Sequence, residues 1–341
     1  MKALLDDRQR AHDPGHFMVS GARRPNPEVP RRVDILRAGA EAAGCVFEPP
    51  IDAGIGPIAA IHTPEYISFL RSIHARWRLI EGASEEVIPN VHPASRDDSY
   101  PKSAVGQAGY HQADTACPIS AGTWEAAYWS AQTAIAGADA LAGGAGAAYA
   151  LCRPPGHHAF ADLAGGFCFL NNAAIASARL RAAGLRPAIL DVDLHHGNGT
   201  QGIFYASGEV LTVSIHVDPA GFYPFFRGHA QERGEGAGRG ANLNLPLARG
   251  TRDEGYLAAL DIALARIVDF GADAIVVALG LDAHEDDPFK GLAVTTDGFT
   301  RIAAAIAALG RPVLCVQEGG YVSDALGDNL TAFLSGLKEG M

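Results

Sequence analysis

The sequence AILDVDLHHGNG, residues 188–199, joins a continuous apolar run to a dense group of carboxylates, histidines and glycines. Short apolar runs without alternation are typical of strands buried on both faces of a parallel sheet. Open α/β sheets bind their ligands at the carboxyl ends of such strands. This segment therefore predicts a buried parallel strand that leads directly into a functional site.

Similar apolar runs predict further strands of the same sheet, and amphipathic segments between them predict helices. The strands are expected at 147–151, 188–192, 210–215, 274–281 and 312–316. Helices are expected at about 28–43, from Thr63 onward, and at 253–270 with Gly271 as the stop. This alternation predicts one domain over residues 1–341, with a mostly parallel central sheet flanked by helices and the active site at the strands' carboxyl ends.

Residues 80–107 interrupt the alternation. The segment has few apolar positions and is rich in proline, serine and acids. A loop of this length inside a compact domain is usually functional or mobile. The sequence leaves open whether it forms a lid, a dimer contact or a substrate wall.

Composition excludes several classes of protein. A formal net charge of −11 over 341 residues argues against a nucleic-acid-binding protein. No apolar run approaches the roughly 20 residues of a membrane span, and residues 1–13 lack a signal-peptide pattern. Five cysteines without C-x-x-C spacing favour free thiols in a reducing compartment. We therefore expect a cytoplasmic protein without nucleic-acid or membrane partners.

Three acids and a histidine predict a metal site. Asp191, Asp193 and His195 are spaced two residues apart, so an extended chain places them on one side. Asp282 follows another predicted strand. Buried carboxylates need a compensating cation, and no lysine or arginine is near them in sequence. An Asp, His, Asp set suits zinc, and three protein ligands leave a position open for water.

Histidines and a tyrosine at other strand ends add candidate catalytic groups. His157 and His158 follow a Pro-Pro-Gly turn and could take a proton from a metal-activated water. Asp191 and Asn198 are the candidates to orient their far ring nitrogens. Tyr321 follows two glycines and could donate to an oxyanion, although a packing role is equally compatible with its position. The acids at 286–287 are expected to be solvated.

Five motifs together resemble the histone deacetylase superfamily, and within it the short bacterial acetylpolyamine amidohydrolases. They are RPPGHH at 153–158, GGFCFLNN at 165–172, DVDLHHGNGT at 191–200, LGLD at 279–282 and EGGY at 318–321. The resemblance implies an arginase/deacetylase-like α/β fold with one zinc per chain. It implies Asp193, His195 and Asp282 as the zinc ligands.

The resemblance also implies roles for the remaining groups. His158 becomes the general base and acid, His157 an electrostatic partner, and Tyr321 the oxyanion donor. The residues of a narrow substrate channel would be Gly166, Phe167 and Tyr223. A structural potassium ion near the backbone of 191–195 and a homodimer or higher oligomer formed through the loop at 80–107 are further implications.

The function implied is zinc-dependent hydrolysis of an N-acyl amide, foremost deacetylation of a small acetylated amine such as an acetylpolyamine. Acids that acetylpolyamine hydrolases place beside the GQAGY run at 106–110 are replaced here by Val105 and Ala116. The alternatives are therefore another small amide, including a xenobiotic one, or acetyl-lysine in protein. A catalytically silent module that binds acylated amines is a further alternative, disfavoured by the intact histidines and tyrosine.

Overall fold

The strands build one large sheet and one small hairpin. The computed structural model describes residues 1–97 and 99–341. Its strands are β1 (Lys2–Leu4), β2 (His16–Val19), β3 (Ala22–Pro25), β4 (Val46–Glu48), β5 (Ala147–Ala150), β6 (Pro187–Asp191), β7 (Leu211–Val217), β8 (Asn242–Leu247), β9 (Ala274–Leu279) and β10 (Val313–Gln317). Eight strands pair in parallel in the order β4-β1-β5-β10-β9-β6-β7-β8, and β2 and β3 form an antiparallel hairpin.

Helices cover both faces of the sheet. They are α1 (Arg31–Ala42), α2 (Gly56–Ala59), α3 (Pro64–Trp77), α4 (Ala104–His111), α5 (Thr123–Ala142), α6 (Asn172–Ala182), α7 (Asn198–Phe204), α8 (Asp253–Phe270), α9 (Thr296–Ala307) and α10 (Leu326–Glu339). One core cluster packs α1, α8, α9 and α10 against the sheet, and another packs α5 and α6. Among the described residues, no helix is long and apolar enough to cross a membrane.

The predicted fold class is confirmed, and the five predicted strands are β5, β6, β7, β9 and β10. The strand predicted at 274–281 ends earlier, at Leu279, so that Asp282 lies in the loop beyond it. Strands β1, β4 and β8, which lie at or next to an edge of the sheet, were not predicted, because two of them have only three residues and β8 alternates polar and apolar residues. The prediction therefore succeeded where strands are long and buried on both faces.

Helix boundaries follow local capping. The helix predicted from residue 28 begins at Arg31, after Pro30, and Glu28 is buried in an ion pair instead. The loop predicted at 80–107 is too long, because α4 begins at Ala104, where the Ser103 hydroxyl accepts a hydrogen bond from the Gly106 amide at 3.0 Å. Within that loop, residue 98 lies outside the described residues.

The strand order explains how separate motifs meet. β5, β10, β9 and β6 are neighbours in the centre of the sheet. The segments that follow them carry RPPGHH, EGGY, the aspartate of LGLD and DVDLHHGNGT. Because the strands are parallel, their carboxyl ends share one edge of the sheet, and the four motifs lie side by side there.

Candidate active site

Asp193, His195 and Asp282 form a buried cluster at the carboxyl ends of β6 and β9. One potential ligand atom from each lies within 4.8 Å of the others. His195 Nδ1 is 3.2 Å from Asp193 Oδ1 and 3.1 Å from Asp282 Oδ2. Backbone amides fix the carboxylates: Gly319 donates to Asp193 Oδ2 at 2.8 Å and Leu194 to Asp282 Oδ1 at 3.0 Å. The three side chains are therefore pre-arranged around one point.

The charges of this cluster favour a bound cation. Burial lowers the pKa of His195, but hydrogen bonds to Asp193 and Asp282 outweigh this effect and raise the pKa to about 9. Burial and the charge of Asp193 raise the pKa of Asp282. Two buried carboxylates thus lie against a single imidazole. Two carboxylates and one imidazole are an oxygen and nitrogen donor set that fits zinc.

Glycine makes room for these carboxylates. A Cβ on Gly319 would lie 2.4 Å from both Asp193 Oδ2 and Asp282 Oδ2. A Cβ on Gly280 would lie 2.2 Å from Asp193 Oδ2. Any side chain at these positions would displace the cluster, so the glycine of EGGY has a direct steric function.

A second group of potential ligands, His157, Cys168 and Glu318, also lies within 4.8 Å. Its donors are less available. Burial raises the pKa of the Cys168 thiol well above its usual range. Glu318 Oε2 accepts hydrogen bonds from the amides of Gly156 and His157 at 2.6 and 3.0 Å. The aspartate and histidine cluster is therefore the stronger candidate for a metal site.

His157 and His158 stand next to the cluster with ring centroids 4.0 Å apart. His157 Nδ1 is 2.9 Å from Asp191 Oδ2, and His158 Nδ1 is 2.7 Å from Asn198 Oδ1. An amide oxygen only accepts, so His158 Nδ1 carries a proton and its Nε2 keeps a free lone pair. The carboxylate of Asp191 instead stabilises a charged imidazolium.

The two imidazoles differ in basicity for the same reason. Burial lowers the pKa of His157, but the charges of Asp191 and Asp193 outweigh it and raise the pKa well above 6.5. Burial and the charges of His157 and His195 lower the pKa of His158 well below 6.5. The surroundings therefore favour the charged form of His157 and the neutral form of His158.

Supporting residues behind the histidines were not predicted. Glu318 is fully buried, and burial raises the pKa of its carboxyl to about 7. Arg153, the arginine of RPPGHH, donates to Glu28 Oε1 at 2.9 Å and to the carbonyls of Gln9 and His12. Each belongs to a motif that marked the site, but only the tertiary structure shows that its function is to hold a backbone segment.

A cavity of about 410 Å³ leads from the surface to this cluster. Its walls include the predicted residues Gly166, Phe167 and Tyr223. The Tyr223 ring is edge-on to His158 at 5.0 Å. Phe167 adopts a left-handed conformation with φ of 67°, which is strained for a non-glycine residue and recurs at functional sites. Further wall residues not predicted are Phe17, Met18, Phe222, Phe225 and Phe289.

Tyr321 lines the same cavity. Its ring packs edge-on against Phe289 at 4.6 Å and Phe167 at 5.9 Å. Its backbone amide donates to Asp287 Oδ2 at 3.0 Å. The expectation that Asp287 is solvated is wrong: the residue is buried, and burial together with Asp282 raises its pKa to about 7, whereas Asp286 is exposed.

The two departures from the acetylpolyamine pattern lie in different places. Ala116 borders the cavity, whereas Val105 is on α4 and packs against the core around α3. Asp114 also lines the cavity, and its Oδ2 accepts a hydrogen bond from the Tyr223 hydroxyl at 2.7 Å.

The fold and the site define a class: an α/β protein with a buried cluster of carboxylates and an imidazole, a histidine pair and an aromatic channel that leads to them. The chain matches the histone deacetylase domain family over residues 26–337 and belongs to that family. It is therefore a hydrolase that acts on amide bonds.

Known relatives agree over nearly the full length. The chain is 47% identical to the acetylpolyamine amidohydrolase of Burkholderia pseudomallei, over 96% of both chains. It is 41% identical to that of Mycoplana ramosa, over 99% of both. The crystal structure of acetylpolyamine aminohydrolase from Burkholderia pseudomallei has a TM-score of 0.97 and 46% identity, covering 100% of this chain and 99% of that one.

Proposed function

We propose that this protein hydrolyses the amide bond of a small acetylated amine, foremost an acetylpolyamine, with one zinc ion held by Asp193, His195 and Asp282. Full-length similarity to acetylpolyamine amidohydrolases supports the proposed substrate class. The buried ligand cluster beside two differently paired histidines supports the chemistry.

Asp193, His195 and Asp282 would hold the zinc ion, which when bound would supply a Lewis acid to polarise the acetyl carbonyl and make water a stronger acid. The chain's own residues move the protons. His158 Nε2, left as an acceptor by the bond from Nδ1 to Asn198, takes the proton of the attacking water. The amine nitrogen then receives a proton from this histidine pair, so that acetate and free amine leave. The Asp191 carboxylate orients the His157 ring and favours its charged form.

Tyr321 and the channel walls complete the proposed mechanism. The Tyr321 hydroxyl donates to the oxygen that becomes negative as the carbonyl turns tetrahedral. Phe167 and Phe289 hold the Tyr321 ring and exclude water around it. The apolar walls accept the hydrocarbon chain of the substrate, which leaves the acetyl group as the part that reaches the metal.

Potassium near the backbone of 191–195, a cytoplasmic location and self-association stay predictions. All five cysteines are buried free thiols, which agrees with a reducing compartment.

Large apolar side chains are exposed in and next to the loop at 80–103: Leu79 is 85% exposed and Val91 51%. We propose that this loop mediates a homodimer, which sedimentation at micromolar concentration would detect as a doubled mass.

The proposed function is tested by acetate release from the zinc-loaded full chain. Substrates are N-acetylputrescine, N-acetylcadaverine, N-acetylspermidine, an acetyl-lysine peptide and N-methylacetamide. We expect kcat/KM for the acetylated polyamines to exceed that for the peptide by at least about tenfold, with Asp261→Asn, an exposed exchange on α8, as the unchanged control. Release from none of them contradicts the hydrolase assignment, and faster release from the peptide contradicts the substrate class.

A further inference from the structure

Residues 114–116 connect the walls of the channel. On one side they bind the β2–β3 hairpin: the Met18 amide donates to the Thr115 carbonyl at 3.2 Å, and the Thr115 hydroxyl donates to the Met18 carbonyl at 2.9 Å. On another side the Phe167 amide donates to the Ala116 carbonyl at 3.1 Å. Thr115 and Ala116 thus contact two walls, through their backbone carbonyls and the Thr115 hydroxyl.

Asp114 contacts the third wall of the channel, which contains Tyr223. Its Oδ2 accepts from the Tyr223 hydroxyl at 2.7 Å and from the Gly166 amide at 3.2 Å, and its Oδ1 accepts from the Ala116 amide at 2.8 Å. Hydrogen bonds to an ionised carboxylate are shorter and stronger than neutral ones. One carboxylate therefore fixes the Tyr223 side of the channel to the turn that carries Phe167.

There is no space for a side chain at Gly166. A Cβ on Gly166 would lie 2.8 Å from the Tyr223 hydroxyl and 2.5 Å from His158 Cδ2. Gly166 has a φ of 50° and Phe167 a φ of 67°, so both residues of the turn are in the left-handed region. Such a conformation persists only where surrounding contacts impose it. Hydrogen bonds between Gly165 and Cys168, at 3.2 and 2.8 Å, close this turn, and the hydrogen bonds to residues 114–116 attach it to the other walls.

Asp114 is available to hold these walls together. In the described part of the chain it is the one carboxylate lining the cavity besides Asp193. Within the same ranges it forms no ion pair with a lysine, arginine or histidine at 4.0 Å or less. Its partners are two backbone amides and one phenol, all of which have fixed positions.

We propose that Asp114 is a positioning residue that sets the width of the channel by holding Tyr223 against the Gly166–Phe167 turn. This width restricts the enzyme to acetylated amines with an unbranched chain. This inference rests on the amide hydrolysis proposed above. A methylene chain passes between the two aromatic walls, whereas a substituent beside the amide nitrogen requires them to separate.

The test compares two substrates that carry the same distal ammonium: N-acetylcadaverine and its analogue methylated on the carbon beside the amide nitrogen. The variants are Asp114→Asn, Tyr223→Phe and the double variant, with Asp261→Asn and Tyr205→Phe as matched controls. The ratio of kcat/KM for the linear and branched substrates should fall about tenfold in each single variant. The ratio in the double variant should fall no further, because both exchanges act on the same hydrogen bond between Asp114 and Tyr223.

Zinc content and melting temperature of each variant separate this effect from misfolding. An unchanged substrate ratio in both single variants would overturn the proposal. A second comparison uses N-acetylcadaverine and N-pentylacetamide, which lacks the distal ammonium. The proposal would also be overturned if Asp114→Asn lowered kcat/KM only for the substrate with the ammonium and Tyr223→Phe had no effect. Asp114 would then bind the cation directly. Absence of turnover in the wild type contradicts the proposed function itself, which is a different result.

Discussion

The floor of the cavity and its rim are built in different ways. Asp193, His195 and Asp282 at the floor follow the ends of adjacent central strands, and each is buried. The aspartate carboxylates accept hydrogen bonds from backbone amides of neighbouring segments. The rim comes from the β2–β3 hairpin, residues 114–116 and the aromatic loop at 221–226, where Phe226 is 89% exposed.

This difference separates chemistry from selection. Groups on strand ends inherit the rigidity of the sheet, which metal binding and proton transfer need. Loops can change without disturbing the sheet, and they carry the surfaces that choose a substrate. We therefore expect floor exchanges to remove turnover of every substrate, and rim exchanges to change which substrate is preferred.

Among variants that leave the aspartate and histidine cluster unchanged, the largest expected effect is that of Tyr321→Phe. Removal of one oxyanion donor should lower kcat by about 10²- to 10³-fold, because the developing negative charge loses a hydrogen bond. Zinc content, measured by atomic emission, should stay that of the wild type, since the ring keeps its contacts with Phe167 and Phe289. Undiminished kcat would remove Tyr321 from the mechanism.

A pair of glycine exchanges compares floor and rim directly. Gly319→Ala places a Cβ 2.4 Å from two carboxylate oxygens and should weaken zinc binding by about 10- to 100-fold. Gly221→Ala, in the rim loop, meets nothing within 4 Å and should leave zinc affinity unchanged. Competition with a chelator measures both. Equal affinities in the two variants would contradict the steric role of Gly319.

A smaller effect is expected from Asn198→Asp. A carboxylate at 2.7 Å from His158 Nδ1 favours the charged imidazole and raises its pKa. As the pH falls, the His158 imidazole then becomes protonated at a higher pH than in the wild type. The acid limb of kcat/KM should therefore move up by about one pH unit. Activity should fall about tenfold at the foot of the limb and little at pH 8. An unmoved limb would show that His158 is not the titrating base.

Much of the floor could be predicted from the sequence, because its residues follow apolar strands at fixed spacing. The sequence thus indicated Asp193, His195 and Asp282 as one cluster and Asn198 as an orienting residue for the histidines. The rim was harder. Asp114 contacts Tyr223 from 109 residues away, and neither residue has a periodic neighbour that indicates the pairing. Buried supports such as Glu318 likewise depend on tertiary contacts that no local pattern encodes.

The central claim is that the metal belongs to the aspartate and histidine cluster. Zinc bound per chain, measured after loading and dialysis together with acetate release, tests it in the wild type, Asp282→Ala and Cys168→Ala. We predict about one zinc in the wild type and in Cys168→Ala, and loss of both zinc and acetate release in Asp282→Ala. Zinc retained in Asp282→Ala but lost in Cys168→Ala would place the metal with His157 and Glu318 and contradict the account.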